Sequence, residues 1–190
     1  MATIGLMLHP NEIKANAFVD ENVDDKYIRN SIVLAQNLHI LPILGTGLFN
    51  DIVDEIEAES ISADNQSLLS DYIQPALEWW AMYELVEPLT YKITNKSIMK
   101  KSSENSNPIS ADEVVNLKNK FKNIAEERTQ RLISYLCENS DTYTLYDNPG
   151  TGSDIIHPRK FAFETGWNLQ GSKYRNPNVD DPNDAGDYEI

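Results

Sequence analysis

The chain has 190 residues, 41% of them hydrophobic, which suits one domain with its own core and room for an arm. Its 16 basic and 30 acidic residues leave a formal charge of −14, which excludes a general binder of nucleic acid or anionic membrane, since both rest on clustered Lys and Arg. A lone cysteine, Cys137, excludes an internal disulfide and fits folding in a reducing compartment.

The N-terminus, "MATIGLMLHPNEIKANAF", has neither a basic leader nor a long apolar stretch, so no signal peptide is expected and residues 1–22 read as an arm. A first helix opens at "VDENVDDKYIRNSIVLAQNLHI", with Asp24 or Asp25 as its cap. Tyr27, Ser31, Leu34 and Leu38 form one stripe, and Ile28, Ile32, Ala35 and His39 the adjacent one, so a broad apolar face is expected. His39 reads as a satisfied structural histidine, because no second His or Cys stands at metal spacing. Between Arg29 and Asp51 no charged residue occurs, a span long enough by count to cross a membrane. Its Asn, Gln, Ser and Thr content and its central Pro42 favour a helix pair instead, with no membrane contact.

Pro42 is expected to stop the first helix and start the second, with Gly45 and Gly47 permitting positive φ or close approach at the corner. The second helix should run to about Glu59 with Leu48, Ile52, Val53 and Ile56 inward. "GTG" here and "NPGTGSD" at 148–154 lack the Gly-Lys-Ser/Thr ending of a phosphate loop and read as turns. In "ISADNQSLLSDYIQPALEWWAMYELVEPL", Leu69, Ile73, Ala76, Trp80 and Tyr83 recur at helical spacing. Pro75 kinks or restarts this third helix, and Pro88 ends it. Trp79 and Trp80 point about 100° apart on a helix and cannot form one flat platform. One belongs to the core; the other meets a second element or a neighbouring chain.

"YKITNKSIMKK" changes to a period of two and predicts a β-hairpin near 91–100, with a turn at Asn95-Lys96 and Ile98 facing Ile93. "SSENSNP" follows as a linker. Ser110 and Glu113 make a capping box that opens the clearest helix. Its stripe is Val114, Leu117, Phe121, Ile124, Arg128, Leu132 and Leu136, interrupted only at Arg128, and Cys137 near its end reads as a small buried hydrophobe. Arg128 and Arg131 are either solvated or paired with acids of a neighbour. From Asp141 no period persists, yet 7 of the chain's 17 aromatic residues fall in these last fifty residues. A free tail should be poor in aromatics. Residues 141–190 therefore read as an extended arm docking on neighbouring subunits through Tyr143, Tyr146, Phe161, Phe163, Trp167 and Tyr174.

Charge is banded. Residues 30–91 carry 10 acidic groups and no Lys or Arg, whereas residues 92–131 carry 9 basic and 5 acidic groups. Such banding suits stacking through complementary surfaces. Lys92, Lys96, Lys100 and Lys101 crowd the hairpin. They face either a DNA channel or a neighbour's acidic surface, and the second is favoured, because four phosphate-binding lysines repeated around a ring would retain DNA steeply. These lysines, Arg128, Arg131 and the arm's aromatics are the expected subunit interface. The fold class is mainly α: an antiparallel helical bundle over residues 23–140, one β-hairpin and a long irregular C-terminal arm.

The order of phrases "AQNLHILPILG", "LLSDYIQPALEWWAMYEL", "KITNKSIM", "RLISYLCEN" and "YTLYDN" resembles head–tail connector or adaptor (neck ring) proteins of tailed, crAss-like phages that infect Bacteroidetes. The likeness covers about residues 18 to 148. Ser97 departs from it, since the family's pattern has Gly after the Asn-Lys pair. The resemblance implies a virion structural protein without enzymatic activity or cofactor. It would fold in the host cytoplasm and form a ring, following the portal's twelve-fold symmetry, in the head–tail neck. Its partners would be the portal protein, other neck and tail rings and copies of itself, with genomic DNA passing through unbound. The rival classes are an enzyme, for which His9, His39, His157 and Cys137 form no spaced constellation, and a non-enzymatic helical module presenting its aromatic arm to a single partner.

Overall fold

The computed structural model of the protein describes residues 5–16, 19–93, 98–100 and 110–161. The described body is mainly helical. Its elements are α1 (Pro10–Asn16), α2 (Asp25–Ala35), a π-helical turn (Gln36–Ile40), α3 (Leu41–Glu57), α4 (Ala63–Leu68), a second π-helical turn (Leu69–Ile73), α5 (Gln74–Thr90), α6 (Ala111–Glu138) and the short α7 (Thr144–Asp147). Of the hairpin expected near 91–100, the described residues contain two three-residue strands, β1 (Tyr91–Ile93) and β2 (Ile98–Lys100). They run antiparallel with Ile93 opposite Ile98. Residues 94–97, where the turn is expected, and the linker at 101–109 lie outside the described residues.

Local signals set the helix starts. The Asp24 side chain accepts from Lys26 N at 2.9 Å and caps α2. Ser110 and Glu113 close a full capping box on α6. Pro42 and Pro75 each follow a π-helical turn. Pro42 is the second residue of α3 and Pro75 the second of α5. Proline lacks an N–H and its ring crowds the carbonyl four residues back, so one wider turn before it relieves both problems without stopping the helix. Pro42 therefore does not end the first helix, contrary to expectation: helical geometry carries on through it to Leu44, and the run Asp25–Glu57 is interrupted only at Gly45. That run is long and apolar enough to cross a membrane by length and composition, with half of its most apolar window buried inside the chain. Pro88 likewise sits inside α5, which runs on to Thr90.

The break lies three residues later, at Gly45, with φ 74° and ψ 161°. An unbroken helix would bond Thr46 N to the carbonyl of Pro42. Here Thr46 N donates to Ile156 O at 3.0 Å, and Pro42 O accepts from Arg159 N at 2.8 Å. The strap at 149–160 thus repairs, from both sides, the hydrogen bond that the break opens. This corrects the domain reading of 141–190 as an arm on neighbouring subunits: its described residues pack on their own chain, Tyr143 and Tyr146 against α4 and α6, and Pro149, Ile156, Pro158 and Arg159 on the corner of α3. Ile156 N also donates to Thr46 Oγ1 at 2.9 Å.

The N-terminal arm is corrected too. Met7, Leu8 and Ile13 are buried in the core. The buried amide of Gln36 accepts from Met7 N at 3.1 Å and donates to Gly5 O at 3.2 Å. Gln74 Nε2 donates to Met7 O at 2.9 Å. Two glutamines at the π-helical turns therefore clip residues 5–7 into place.

Helix α5 sits in the middle, packed on α6 and on α2. Its partners on α6 fall in number as its own rise: Tyr72, in the π-helical turn just before it, stacks on Tyr135, Trp79 meets Phe121, and Glu87 meets Lys118. The two helices are antiparallel. On α2 the buried set is Ile28, Ser31, Ile32 and Ala35. Leu34 and Leu38 are 44% and 54% exposed, so the apolar face is narrower than expected. On α6 the buried stripe runs Val114, Phe121, Ala125, Thr129, Leu132 and Leu136. It passes through Thr129 rather than Arg128, and Ile124 falls at its margin. Cys137 is exposed rather than buried.

Candidate functional site

The residues expected at a subunit interface separate into three groups. Lys96, Lys101, Phe163, Trp167 and Tyr174 lie outside the described residues. Lys92 and Lys100 stand on β1 and β2, opposite Met99 and Tyr91. Arg128, Arg131 and Phe161 are exposed, Phe161 by 53%. Arg131 lies over the Tyr72 ring of its own chain, 5.5 Å from the centroid. Tyr143 and Tyr146 are corrections: both are buried within this chain and leave no surface for a neighbour. Tyr143 OH donates to Asp64 O at 3.0 Å, and Tyr146 OH lies 3.9 Å from Cys137 Sγ.

Burial pushes both phenols well above their ordinary value. A group whose folded pKa is raised contributes stability that is complete below its unfolded value, near 10 for tyrosine, and is lost as pH rises beyond it. Tyr146→Phe should therefore leave the melting temperature at pH 7 nearly unchanged, because its hydroxyl meets only a thiol. It should flatten the fall in melting temperature above about pH 10. A variant whose alkaline decline parallels that of the parent would refute this.

The interior is organised around Trp80. Its indole stacks on the His39 ring at a centroid distance of 3.8 Å and donates through Nε1 to Thr129 Oγ1 at 2.9 Å. His39 Nε2 lies 2.8 Å from Glu84 Oε1. His39 is thus held by a carboxylate and an indole, as a structural histidine is. Trp79 meets Phe121 of the same chain at 5.8 Å.

Two surface features remain. At one end, Asn65 Nδ2 donates to Asp51 Oδ2 at 3.0 Å and to Glu55 Oε2 at 2.8 Å. Burial opposes charge on Glu55, but hydrogen bonds from Asn65 and Ser62 outweigh it and hold its carboxyl below the usual range. These groups and Tyr143 line a cavity of about 210 Å³. Asp64 in its lining is exposed, as are Asp54, Glu57 and Glu59 along the same stretch of chain. Among the described residues no three His, Cys, Asp or Glu side chains are arranged to hold a metal ion. At the other end lies an apolar groove of about 380 Å³ between α5, α6 and residues 19–23, walled by Val23, Val86, Leu89, Leu117 and Phe121, with Asp20 and Lys120 in its lining. Beside it Lys118 Nζ bonds Glu87 Oε1 at 2.6 Å. Burial works against this ammonium, but the bond to Glu87 outweighs it and raises its pKa.

The acidic end and the groove stand at opposite ends of α6. Tyr143, just past its C-terminus, touches Asp64, whereas Leu117 and Lys120 lie in its N-terminal third. The 18 to 21 residues of α6 between them span about 27–32 Å. Sequence reasoning missed the groove, because the residues that form it come from three separate segments and each reads locally as core. It also missed the strap, whose only signal was the pair of prolines, Pro149 and Pro158, that meet the corner glycines.

No curated protein and no solved structure matches the chain. The family model described as "Family of unknown function (DUF6712)" matches residues 40–156, from the end of the first π-helical turn to the strap residue that bonds Thr46. More than half of the chain lies within that match, and the chain belongs to this family.

Proposed function

We propose that the chain is a non-enzymatic structural protein of a phage virion, a head–tail adaptor that forms a ring beneath the portal and lets DNA pass. The observation that carries this reading is the separation of unlike surfaces on one rigid body. Exposed acids of α3 and α4 crowd one end, and exposed Lys120, with Lys118 and Lys122 paired to Glu87 and Glu126 beside it, stands near the other. A protomer with two different, complementary patches associates head to tail, and such heterologous contacts close into rings when the rotation allows. The resemblance of the ordered phrases to neck-ring proteins supports the same reading. In it, the protein folds in the host cytoplasm and resides in the virion neck. The 91–100 segment is a projecting hairpin on an antiparallel bundle, its lysines meet acids of an adjacent subunit or ring, and the partners are the portal, other neck rings and further copies of the chain.

Replacing Lys92, Lys96, Lys100 and Lys101 with Gln should impair neck assembly while filled heads still form. Electron microscopy of particles made with the variant checks this. Intact necks with only an altered rate of DNA ejection would assign the hairpin to the channel instead. The alternative, a helical module serving a single partner, draws on the apolar groove. A one-to-one complex in place of a ring, with no incorporation into particles, would favour it.

A further inference from the structure

We infer that the apolar groove between α5 and α6 receives the C-terminal segment, residues 162–190, of a neighbouring copy, with Trp167 as the anchoring side chain. The inference rests on the ring reading and adds the contact that links one protomer to the next. Three observations carry it. First, the groove is apolar and about 380 Å³, a size for one or two aromatic side chains, and its walls Leu89 and Leu117 are only partly buried. Apolar surface left open in this way gains about 25 cal/mol for each Å² it buries. Second, residues 162–190 carry Phe163, Trp167, Tyr174 and Tyr188 in a sequence with no helical or strand period. Trp and Tyr are enriched among residues that anchor interfaces. Third, the charges match. Residues 162–190 hold 6 acidic and 2 basic groups, whereas exposed Lys120 lines the groove; Lys118 and Lys122 flank it on the same helix, already paired with Glu87 and Glu126. Complementary charge of this kind fixes orientation and suppresses wrong pairings.

Reach permits a contact between copies. The described chain ends at the exposed Phe161, and 29 further residues span up to about 100 Å when extended, well beyond the length of α6. Groove and segment are different patches of one chain, so their pairing is heterologous and propagates from copy to copy.

The test uses the full chain with Cys137→Ser, Leu89→Cys and Asn168→Cys, purified as a mixture of isotopically light and heavy protein and mildly oxidised. The expected result is a disulfide between positions 89 and 168 that joins light to heavy peptides, with a ladder of covalent oligomers on a denaturing gel. Adding Trp167→Ala should lower its yield several-fold. Disulfides joining only like isotopes would mean that the segment covers its own groove, and would overturn the inference. So would a yield no higher than with the cysteine moved to exposed Ser67 on α4. Mixed-isotope links in open chains, with no closed ring in electron micrographs, would uphold the pairing and remove the ring instead.

Discussion

Gly45→Val should lower the stability of the chain more than any other single change at the corner. Two costs coincide there. At φ 74° and ψ 161° the backbone occupies a region open essentially to glycine alone, and a side chain adds about 1–3 kcal/mol of strain. A Cβ at Gly45 would also stand 2.8 Å from Cδ and Cγ of Pro158 and 3.1 Å from Ile156 O, and forcing atoms into such space costs about another 1–3 kcal/mol. The strap would have to lift, giving up the bonds of Thr46 N and Pro42 O. Urea denaturation should show the loss as a lower midpoint, and limited proteolysis should show faster cutting near Pro149–Pro158. A variant with the parent's midpoint and the parent's cleavage pattern would mean that the strap does not depend on the corner.

Gly47 separates the two costs. Its φ needs no glycine, but a Cβ there would meet Pro149 Cα at 2.8 Å and Pro149 O at 2.9 Å. These are backbone atoms and cannot rotate aside. Gly47→Val should therefore carry the overpacking cost alone, and rank below Gly45→Val.

Much of the body was legible because its signals are local. Asp24, Ser110 and Glu113 satisfy N–H groups within three residues of themselves, so a cap can be read directly. The stripe Leu69, Ile73, Ala76 and Trp80 follows one helical face and is buried along it. The corner glycines declared a close approach, though not its partner, because Pro149 and Pro158 lie more than a hundred residues away in sequence. The helical stop expected at Pro42 failed for a different reason. A proline in a helix is usually a break, but a π-helical turn before it makes room for the ring, and no local pattern announces that turn. The stripe read along α6 was interrupted at Arg128; in the fold Arg128 is exposed and the neighbouring positions Ala125 and Thr129, both small enough to pack closely, take the inner line. Tyr143 and Tyr146 were read as an arm's aromatics because no period frames them; they close the core from a single short helical turn instead. Of the candidate interface, the charge banding was visible in the sequence. The groove was not, since it exists only once α5, α6 and residues 19–23 meet.

Trp80→Ala should be the most destabilising truncation in the core. Removing a buried tryptophan side chain costs about 3–5 kcal/mol through lost transfer energy and the cavity left behind. Here the indole also joins three elements. Its face supports His39 in the π-helical turn after α2, its N–H satisfies the Thr129 hydroxyl on α6, and its backbone belongs to α5. Thr129 keeps one bond after truncation, because its hydroxyl donates to Ala125 O at 2.8 Å, so the penalty arises mainly from packing and from the His39–Glu84 pair losing its platform. Trp80→Phe tests that division. A phenyl ring retains a face for His39 and loses only the N–H, so it should recover most of the stability, and adding Thr129→Val to it should then cost little. If Trp80→Phe is as damaging as Trp80→Ala in urea, the hydrogen bond to Thr129 rather than the stack holds the three elements together. If Trp80→Ala shifts the midpoint no more than a surface substitution, within about 0.5 kcal/mol, Trp80 does not organise the core at all.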